Sequence, residues 1–250
     1  MACSLVFLGT ADGYANAERN HAALLLRAGS TRVLLDAGQP CSQTLKRLGV
    51  GFGELDAIVV THTHTDHVGG LPMLLQSMWL ERRRRALVIW MPPRAIAPLR
   101  AWLAACYLFP ERLSFDVRWQ GLGKPIRIGG VRIEPFANTH LESTRAEFGR
   151  LYPRVGYESF SLLVQACGVR FGYSGDIGSV EDLEPVCRRP LDLLITELAH
   201  VSADAMHAFV RGRAIAHVWV THVGRGQRGR LPGAHYAAEG EVVDLLALKG

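Results

Sequence analysis

The chain has 250 residues, a formal net charge of +5 and a pI near 9.1, and 48% of its residues are hydrophobic while 20% are charged. This composition is that of an ordinary globular protein and excludes a disordered or fibrous chain. The positive charge suits anionic ligands but is too small to indicate nucleic-acid binding. Since no run approaches the ~20 apolar residues of a membrane span, and the first residues lack the pattern of a secretion signal, we expect a cytoplasmic protein with a single domain over residues 1–250 and no membrane partner.

Cysteine usage indicates the same compartment. The chain has five cysteines, which are scattered and never spaced as CxxC: Cys3, Cys41, Cys106, Cys167 and Cys187. We therefore expect reduced thiols that mostly fill the core.

Strand and helix patterns alternate in the first half of the chain. Short apolar runs predict four strands. The first ends at Gly9, and the others cover Thr31 to Asp36, Leu55 to Val60 and Leu87 to Trp90. Apolar residues at helical spacing predict two helices, one through Leu71, Leu74, Leu75 and Met78 and one through Leu99, Trp102, Leu103 and Cys106. This alternation indicates a mixed α/β protein.

The second half is richer in strands. Four more are predicted, at Val131 to Phe136, Val169 to Ser174, Leu193 to Thr196 and His217 to Thr221. Helices are expected after Ser179 and after Ser202, because both serines are suitable N-caps. The tail from Glu241 to Leu248 has the pattern of a last strand or a short helix.

The run from Thr61 to His67 carries three imidazoles and a carboxylate within six positions: His62, His64, Asp66 and His67. Because side chains alternate along a strand, the first two imidazoles can point the same way at a strand end. The next two ligands can lie on the tight turn that the following Gly-Gly pair permits. Imidazole and carboxylate without thiolate suit zinc, with manganese or iron as alternatives. The run therefore predicts a metal site.

Further polar residues follow other predicted strands. His140, Asp176, Glu197 and His222 each lie at or just past the C-terminal end of a strand. Because loops at strand ends gather side chains into one cleft, we expect these residues to join the histidine-rich run.

The order of these residues resembles the metallo-β-lactamase superfamily of hydrolases, in which an HxHxDH signature is followed by three single ligands. The resemblance implies an α/β fold, a four-layer αβ/βα sandwich, with two divalent metal ions, zinc or alternatively manganese, along one edge of its sheets. The implied ligands are His62, His64 and His140 for the first metal, Asp66, His67 and His222 for the second, and Asp176 for both.

The implied chemistry is hydrolysis by a metal-bound hydroxide. Two cations about 3.5–4 Å apart can share one water and lower its pKa towards about 7. Asp66 is expected to orient this nucleophile while it binds metal. Two roles stay open for Asp36: a hydrogen bond to a ligand imidazole or the signature loop, or a cap of the turn at Gly38.

Within the superfamily, the chain resembles the branch of ribonuclease Z and the cyclic phosphodiesterases. The signature continues into Gly70-Leu71-Pro72 and an apolar helix, and Gly156-Tyr157 resembles the Gly-Tyr element of that branch. The segment from Leu194 to His200 resembles its strand end with a Glu and a following His. The resemblance implies that His200 is a general acid oriented by Glu197; the alternative is a structural pair near the site.

Glyoxalase II and the class B β-lactamases match less well, and the chain also departs from ribonuclease Z in one respect. Glyoxalase II resembles Thr61 to Gly70 and uses a bridging Asp, but only 28 residues follow His222, without its helical domain. Ribonuclease Z carries a long tRNA-binding arm, whereas Asp176 comes only 36 positions after His140 here. Class B β-lactamases usually lack the bridging carboxylate.

We therefore predict a binuclear metal-dependent phosphodiesterase that acts on a small or cyclic phosphodiester. The alternatives are a glyoxalase II-like thioesterase or lactone hydrolase, an RNA-processing nuclease, and a metal-binding scaffold without catalysis. Arg225 and Arg228 lie in a glycine-rich loop and suit phosphate oxygens, unless the loop is simply solvated. The expected partner is a small anionic ester; nucleic acid is less favoured, and a homodimer is compatible with the superfamily.

Overall fold

Two seven-stranded β-sheets face each other in this protein, in a computed structural model that describes residues 3–249. The first sheet contains, in spatial order, β14 (Val242–Asp244), β1 (Cys3–Gly9), β2 (Ala23–Ala28), β3 (Thr31–Leu35), β4 (Ala57–Val59), β5 (Leu87–Met91) and β6 (Val117–Gly121). The second contains β13 (His235–Tyr236), β12 (Ile215–Val223), β11 (Leu191–Leu198), β10 (Val169–Tyr173), β9 (Phe160–Ala166), β8 (Val131–Ala137) and β7 (Ile126–Ile128).

Each sheet has an antiparallel half and a parallel half. In the first sheet, β3 to β6 run parallel, and in the second, β10 to β13 do so. The carboxyl ends of parallel strands meet at one edge of a sheet, and loops leaving that edge can converge. This arrangement places the loops after β4, β10 and β12 at a common edge.

Helices cover the outer faces of the sheets. They are α1 (Cys41–Arg47), α2 (Thr65–Val68), α3 (Leu71–Leu80), α4 (Ile96–Ala105), α5 (Glu142–Phe148) and α6 (Ala203–Val210). Leu5 and Phe7 of β1 pack between the two sheets, whereas Val6 and Leu8 pack on the helix side of the same strand. A strand buried on both faces reads as a continuous apolar run because alternate side chains enter different layers. The predicted four-layer αβ/βα sandwich is confirmed.

The predicted elements are confirmed, with one exception. Ser202 caps α6 by accepting a hydrogen bond from the backbone of Ala205 at 3.1 Å, and the tail contains the short strand β14. The helix expected after Ser179 is wrong: Val180–Leu183 form only a 3₁₀ turn. Pro185 has no backbone N–H to donate to the carbonyl of Glu181, so the turn cannot continue as an α-helix.

The expectation of reduced thiols is wrong for two cysteines, because a disulfide joins Cys3 to Cys167. Cys3 begins β1 of the first sheet, and Cys167 lies in the turn between β9 and β10 of the second. The bond therefore links the two sheets across 164 positions of sequence. Cys41 is buried as expected, and Cys106 is exposed.

Within residues 3–249, the structure contains no helix whose length and apolar character would allow it to cross a membrane.

Candidate metal centre

Seven side chains from both halves of the chain meet at the edge where the strands end. They form two groups whose nitrogen and oxygen ligand atoms all lie within 4.8 Å of one another. The first group is His62, His64, His140 and Asp176, and the second is Asp66, His67, Asp176 and His222. The fold thus brings together all the residues that the sequence predicted as ligands, in the predicted grouping, and Asp176 belongs to both groups.

Asp176 lies between the two groups. Its Oδ2 is 3.7 Å from Nε2 of both His62 and His140, and its Oδ1 is 3.1 Å from Nε2 of His67. Two oxygens of one carboxylate therefore face different imidazoles, which is the arrangement of a bridging ligand. The side-chain amide of Asn138 donates to the backbone carbonyl of Asp176 at 2.9 Å and holds this loop in place.

Asp66 completes the second group from a short helix. Its Oδ2 lies 3.5 Å from Nε2 of His67 and 3.7 Å from Nε2 of His222. The prediction that Asp66 and His67 lie on a tight turn is wrong, since they occupy α2. The carbonyl of His64 accepts hydrogen bonds from the backbone of His67 at 3.0 Å and of Val68 at 3.2 Å, which closes one helical turn before the glycines.

A buried carboxylate orients one of the imidazoles. Asp36 Oδ2 accepts hydrogen bonds from His67 Nδ1 and from the Tyr173 hydroxyl, both at 2.9 Å. Its Oδ1 accepts from the backbone N–H of Thr61 at 2.7 Å. With Nδ1 held in this way, His67 presents Nε2 to the centre. Of the two roles left open for Asp36, the structure shows the contact with an imidazole and with the signature loop.

Several atoms at the centre are buried and have no hydrogen-bond partner within the described residues: His62 Nε2, His67 Nε2 and Asp176 Oδ1. Burying an unpaired polar atom costs free energy, and these three atoms are turned towards one another. A cation bound in each of the two groups would satisfy all three atoms. Imidazole nitrogen and carboxylate oxygen are suitable ligands for zinc or manganese, so the residues fit two divalent cations.

The protonation states of two imidazoles and of the bridging carboxylate also suit cations. Burial lowers the pKa of His62 well below its usual range, and burial lowers the pKa of His140 to about 4. Both rings therefore stay neutral and keep a free lone pair near pH 7. For Asp176, burial opposes the charge, but the neighbouring His67 and His222 lower its pKa well below the usual range, so the bridging group is a carboxylate.

Glu197 and His200 form a pair beside this centre. Glu197 is fully buried, and its Oε1 accepts from the ring Nδ1 of His200 at 3.0 Å and from the backbone of Ile177 at 3.2 Å. The His200 ring lies 4.6 Å from the ring of His140, centroid to centroid, and its side chain is 38% exposed. The hydrogen bond to Glu197 raises the pKa of His200, while burial opposes this shift. His200 is thus a partly exposed imidazole with a fixed tautomer.

Two close backbone approaches shape the centre. A Cβ on Gly38 would lie 2.1 Å from the carbonyl oxygen of Asp66, so only glycine fits where the turn after β3 passes α2. His222 itself has a φ of 46°, a left-handed conformation that is uncommon for a residue with a side chain. Such strained conformations occur preferentially at functional sites.

The two arginines predicted to contact substrate lie on aromatic rings of the protein. The Arg225 guanidinium is 4.1 Å from the ring centroid of Tyr14, and that of Arg228 is 5.9 Å from the ring centroid of Tyr236. Both arginines are exposed. Their contact with substrate stays a prediction.

Sequence reasoning missed the residues that hold the ligands in place. Thr61 and Tyr173 bind Asp36, and Asn138 binds the Asp176 loop. A weak signal existed, because Thr61 immediately precedes His62, Asn138 lies two residues before His140, and Tyr173 lies three residues before Asp176. Their hydrogen bonds connect parts of the chain that are far apart in sequence, so the pattern alone could not assign them.

Comparisons with known proteins give relatives for most of the chain. The family model described as "Anti-Pycsar protein Apyc1" matches residues 3–212. A ribonuclease Z of Bradyrhizobium diazoefficiens is 35% identical over 142 residues, which is 56% of this chain and 47% of the relative. The anti-Pycsar protein Apyc1 of Saccharibacillus brassicae is 38% identical over 134 residues, 52% of each chain. The chain thus spans about half the length of the curated relatives that it matches.

A solved structure agrees on the fold. The metallo-β-lactamase fold protein YhfI from Bacillus subtilis superposes with a TM-score of 0.75 at 17% identity, over 96% of this chain and 98% of that one. The resemblance predicted from the histidine-rich signature is confirmed. The match over residues 3–212 shows that the chain belongs to the family of the anti-Pycsar protein Apyc1, among proteins of the metallo-β-lactamase fold that include ribonuclease Z.

Proposed function

We propose that this protein is a binuclear metal-dependent phosphodiesterase that hydrolyses a small or cyclic phosphodiester. The observation that carries the proposal is the pair of ligand groups that share Asp176, with the Glu197–His200 pair beside them. When bound, two divalent cations polarise the phosphoryl oxygens and lower the pKa of a water towards about 7. The proposed ligands are His62, His64 and His140 for one ion, Asp66, His67 and His222 for the other, and Asp176 for both, with zinc as the ion and manganese as the alternative.

Three side chains have roles of their own in this proposal. Asp66, a buried residue, accepts a hydrogen bond from the attacking water and so orients it towards phosphorus. His200 donates its Nε2 proton to the oxygen that leaves, since Nδ1 is engaged with Glu197. Glu197 is a positioning residue, because its carboxylate is already occupied by the His200 ring and by backbone N–H groups.

For the substrate, we propose a 3′,5′-cyclic nucleotide. Its phosphodiester lies in a small ring and needs no extended nucleic-acid surface. Only 36 positions separate His140 from Asp176, and they form α5, β9, β10 and their connections. A long tRNA-binding arm has no room there. Arg225 and Arg228 are proposed to bind phosphate from the loop after β12.

An RNA-processing nuclease is the second candidate, favoured by the 35% identity to a ribonuclease Z. A thioesterase of the glyoxalase II kind would use the same ligands. A cytoplasmic location and a homodimer stay predictions, and the latter is tested by sedimentation equilibrium.

The test is a paired measurement on one preparation. Metal content is determined by elemental analysis, and hydrolysis is measured on cyclic nucleotides, bis-p-nitrophenyl phosphate, a precursor tRNA and S-lactoyl glutathione, with zinc or manganese added. Two metals per chain with turnover of the cyclic nucleotides would support the proposal. Turnover of only the tRNA or only the thioester would replace the substrate class, and fewer than one metal per chain after reconstitution would overturn the binuclear centre.

A further inference from the structure

A cavity of about 360 Å³ opens beside His64, the one exposed side chain among the seven candidate ligands. Pro92, Ala95 and Pro98 line one wall, on the connection between β5 and α4. The cavity therefore adjoins the proposed metal centre at His64, and a group attached to a phosphate at that centre would lie next to it.

The opposite wall comes from the segment after His140. Leu141 and Thr144 line it from the start of α5, and Val155 lines it from the loop beyond that helix. Apolar side chains thus contribute to both walls, and the exposed Arg94 and Arg154 also line the cavity. The cavity volume lies near the lower end of the range for small-molecule sites, so it suits one flat ring system better than a polymer.

Glu158 connects the two walls and supplies a polar group. Its Oε2 accepts a hydrogen bond from the backbone N–H of Arg94 at 3.0 Å. Within residues 3–249, no group donates a hydrogen bond to its Oε1 and no cationic side chain pairs with it. The half-buried Glu158 thus keeps one carboxylate oxygen available to accept a hydrogen bond from a ligand.

The backbone beside Glu158 is held in position. A Cβ on Gly156 would lie 2.7 Å from Cβ of Arg94 and 3.0 Å from Oε2 of Glu158, so the walls approach closely at this glycine. Tyr157 has a left-handed φ of 49°. This preorganised turn fixes the carboxylate before a ligand arrives.

We propose that this cavity binds the nucleobase of the substrate and that Glu158 accepts a hydrogen bond from an exocyclic amino group of the base. The inference rests on the proposed function and deepens it. A carboxylate accepts from the amino group of cytosine or adenine, whereas it repels the carbonyl oxygen at the same position of uracil or hypoxanthine. The protein is therefore selective for amino-bearing bases.

The first test compares substrates that differ only in this group. We expect kcat/KM to be higher for cyclic CMP than for cyclic UMP, and higher for cyclic AMP than for cyclic IMP. Glu158→Gln keeps an acceptor for Arg94 but adds an amide donor, so it should reduce both ratios by about 10- to 150-fold, as expected for one hydrogen bond to a charged group. Glu147→Gln, an exposed position on α5, is the matched control and should keep the wild-type ratios.

The second test fills the cavity. Thr144→Trp should lower kcat/KM for cyclic nucleotides at least tenfold more than for methyl p-nitrophenyl phosphate, which has no base, and the loss should lie mainly in KM. Ser143→Trp, the exposed neighbour on α5, is the control. Metal content and the thermal midpoint of each variant confirm that the centre and the fold are intact.

Two outcomes would overturn the inference: unchanged ratios in Glu158→Gln, or an equal loss on both kinds of substrate in Thr144→Trp. If the wild-type protein hydrolyses no diester, the proposed function fails, and the cavity is then tested by calorimetric titration of cyclic CMP and cyclic UMP into wild type and Glu158→Gln. Tighter binding of cyclic CMP that the variant loses would support the base site independently of turnover. Equal binding of both nucleotides to both proteins would reject it.

Discussion

His200 illustrates how much of the proposed chemistry depends on single side chains. Its ring is fixed on one side by the 3.0 Å hydrogen bond to Glu197 and remains partly exposed on the other. An imidazole held in this way can transfer a proton without losing orientation. A general acid and a structural residue differ in the kinetics of their variants. Substitution of His200 tests its role as an acid, and substitution of Asp36 tests its role in orienting a ligand.

The first concerns His200→Ala. Loss of a general acid lowers turnover by about 10²–10⁴-fold, and we expect a loss of this size for a cyclic nucleotide with unchanged metal content. The loss should be smaller for bis-p-nitrophenyl phosphate, because p-nitrophenolate leaves without protonation. Steady-state kinetics on both substrates measure the difference, with His217→Ala at an exposed position of β12 as the control. Equal losses on both substrates would instead indicate a positioning role, and wild-type turnover would reject the acid.

The second concerns Asp36→Asn. This carboxylate orients the His67 imidazole, and removal of such a hydrogen bond costs about 10–100-fold in metal affinity. We expect that loss for the variant, measured by competition with a chelator of known affinity. The exposed Asp204→Asn serves as the control. If Asp36→Asn bound metal with wild-type affinity, the buried carboxylate would serve its hydrogen bonds to Thr61 and Tyr173 and not the orientation of the His67 imidazole.

At the scale of elements, the centre depends on how closely two turns approach each other. The turn after β3 passes α2 at Gly38, where the backbone carbonyl of Asp66 leaves no space for a side chain. The position of Asp66, and with it the second ligand group, therefore depends on contact between two short segments. Packing of a turn against a helix thus controls ligand geometry.

Gly38→Ala tests this dependence. The added methyl group overpacks the contact, and we expect the free energy of unfolding to fall by about 1–3 kcal/mol, with a loss of bound metal. Gly53→Ala is a matched control, because nothing lies within 4 Å of a Cβ at that position. Denaturant unfolding and elemental analysis measure both effects. If both variants were equally stable and equally metal-loaded, the close approach would have no consequence.

The two sheets that must face each other come mostly from different halves of the chain, although β14 from the end of the chain joins the first sheet. Buried apolar side chains pack between the two sheets, and the disulfide between Cys3 and Cys167 adds a covalent link. A link across 164 positions restricts the unfolded chain strongly. Thiol chemistry can test this arrangement directly.

We expect one fast-reacting thiol in the native protein purified without reductant, which is the exposed Cys106. Burial raises the pKa of Cys41 to about 12 and that of Cys187 to about 11. Since the thiolate is the nucleophile, both should react slowly at pH 8 and faster as the pH rises towards these values. A thiol titration should find three groups after denaturation and five after reduction. Five groups without reduction would contradict the disulfide.

Local pattern was sufficient for most of the elements. The helix through Leu71 and Met78 and the buried strand β10 follow from apolar spacing, which depends on neighbours in sequence. The helix predicted after Ser179 does not form. The Asp182 carboxylate there accepts a hydrogen bond from the backbone of Thr139, which is 43 positions away. The expectation of reduced thiols was wrong for Cys3 and Cys167 for the same reason, since a partner 164 positions away leaves no local signal.

The sequence pattern predicted a mixed α/β protein with a metal site, because residue type and position at strand ends are local properties. The four-layer fold and the set of seven ligands followed from the resemblance to the metallo-β-lactamase superfamily. Only the tertiary structure decided that Asp36 orients His67, that His200 stands beside His140, and that a cavity with a free Glu158 oxygen opens at His64. These features arise from contacts between distant segments, and their geometry exists only once both sheets have packed against each other.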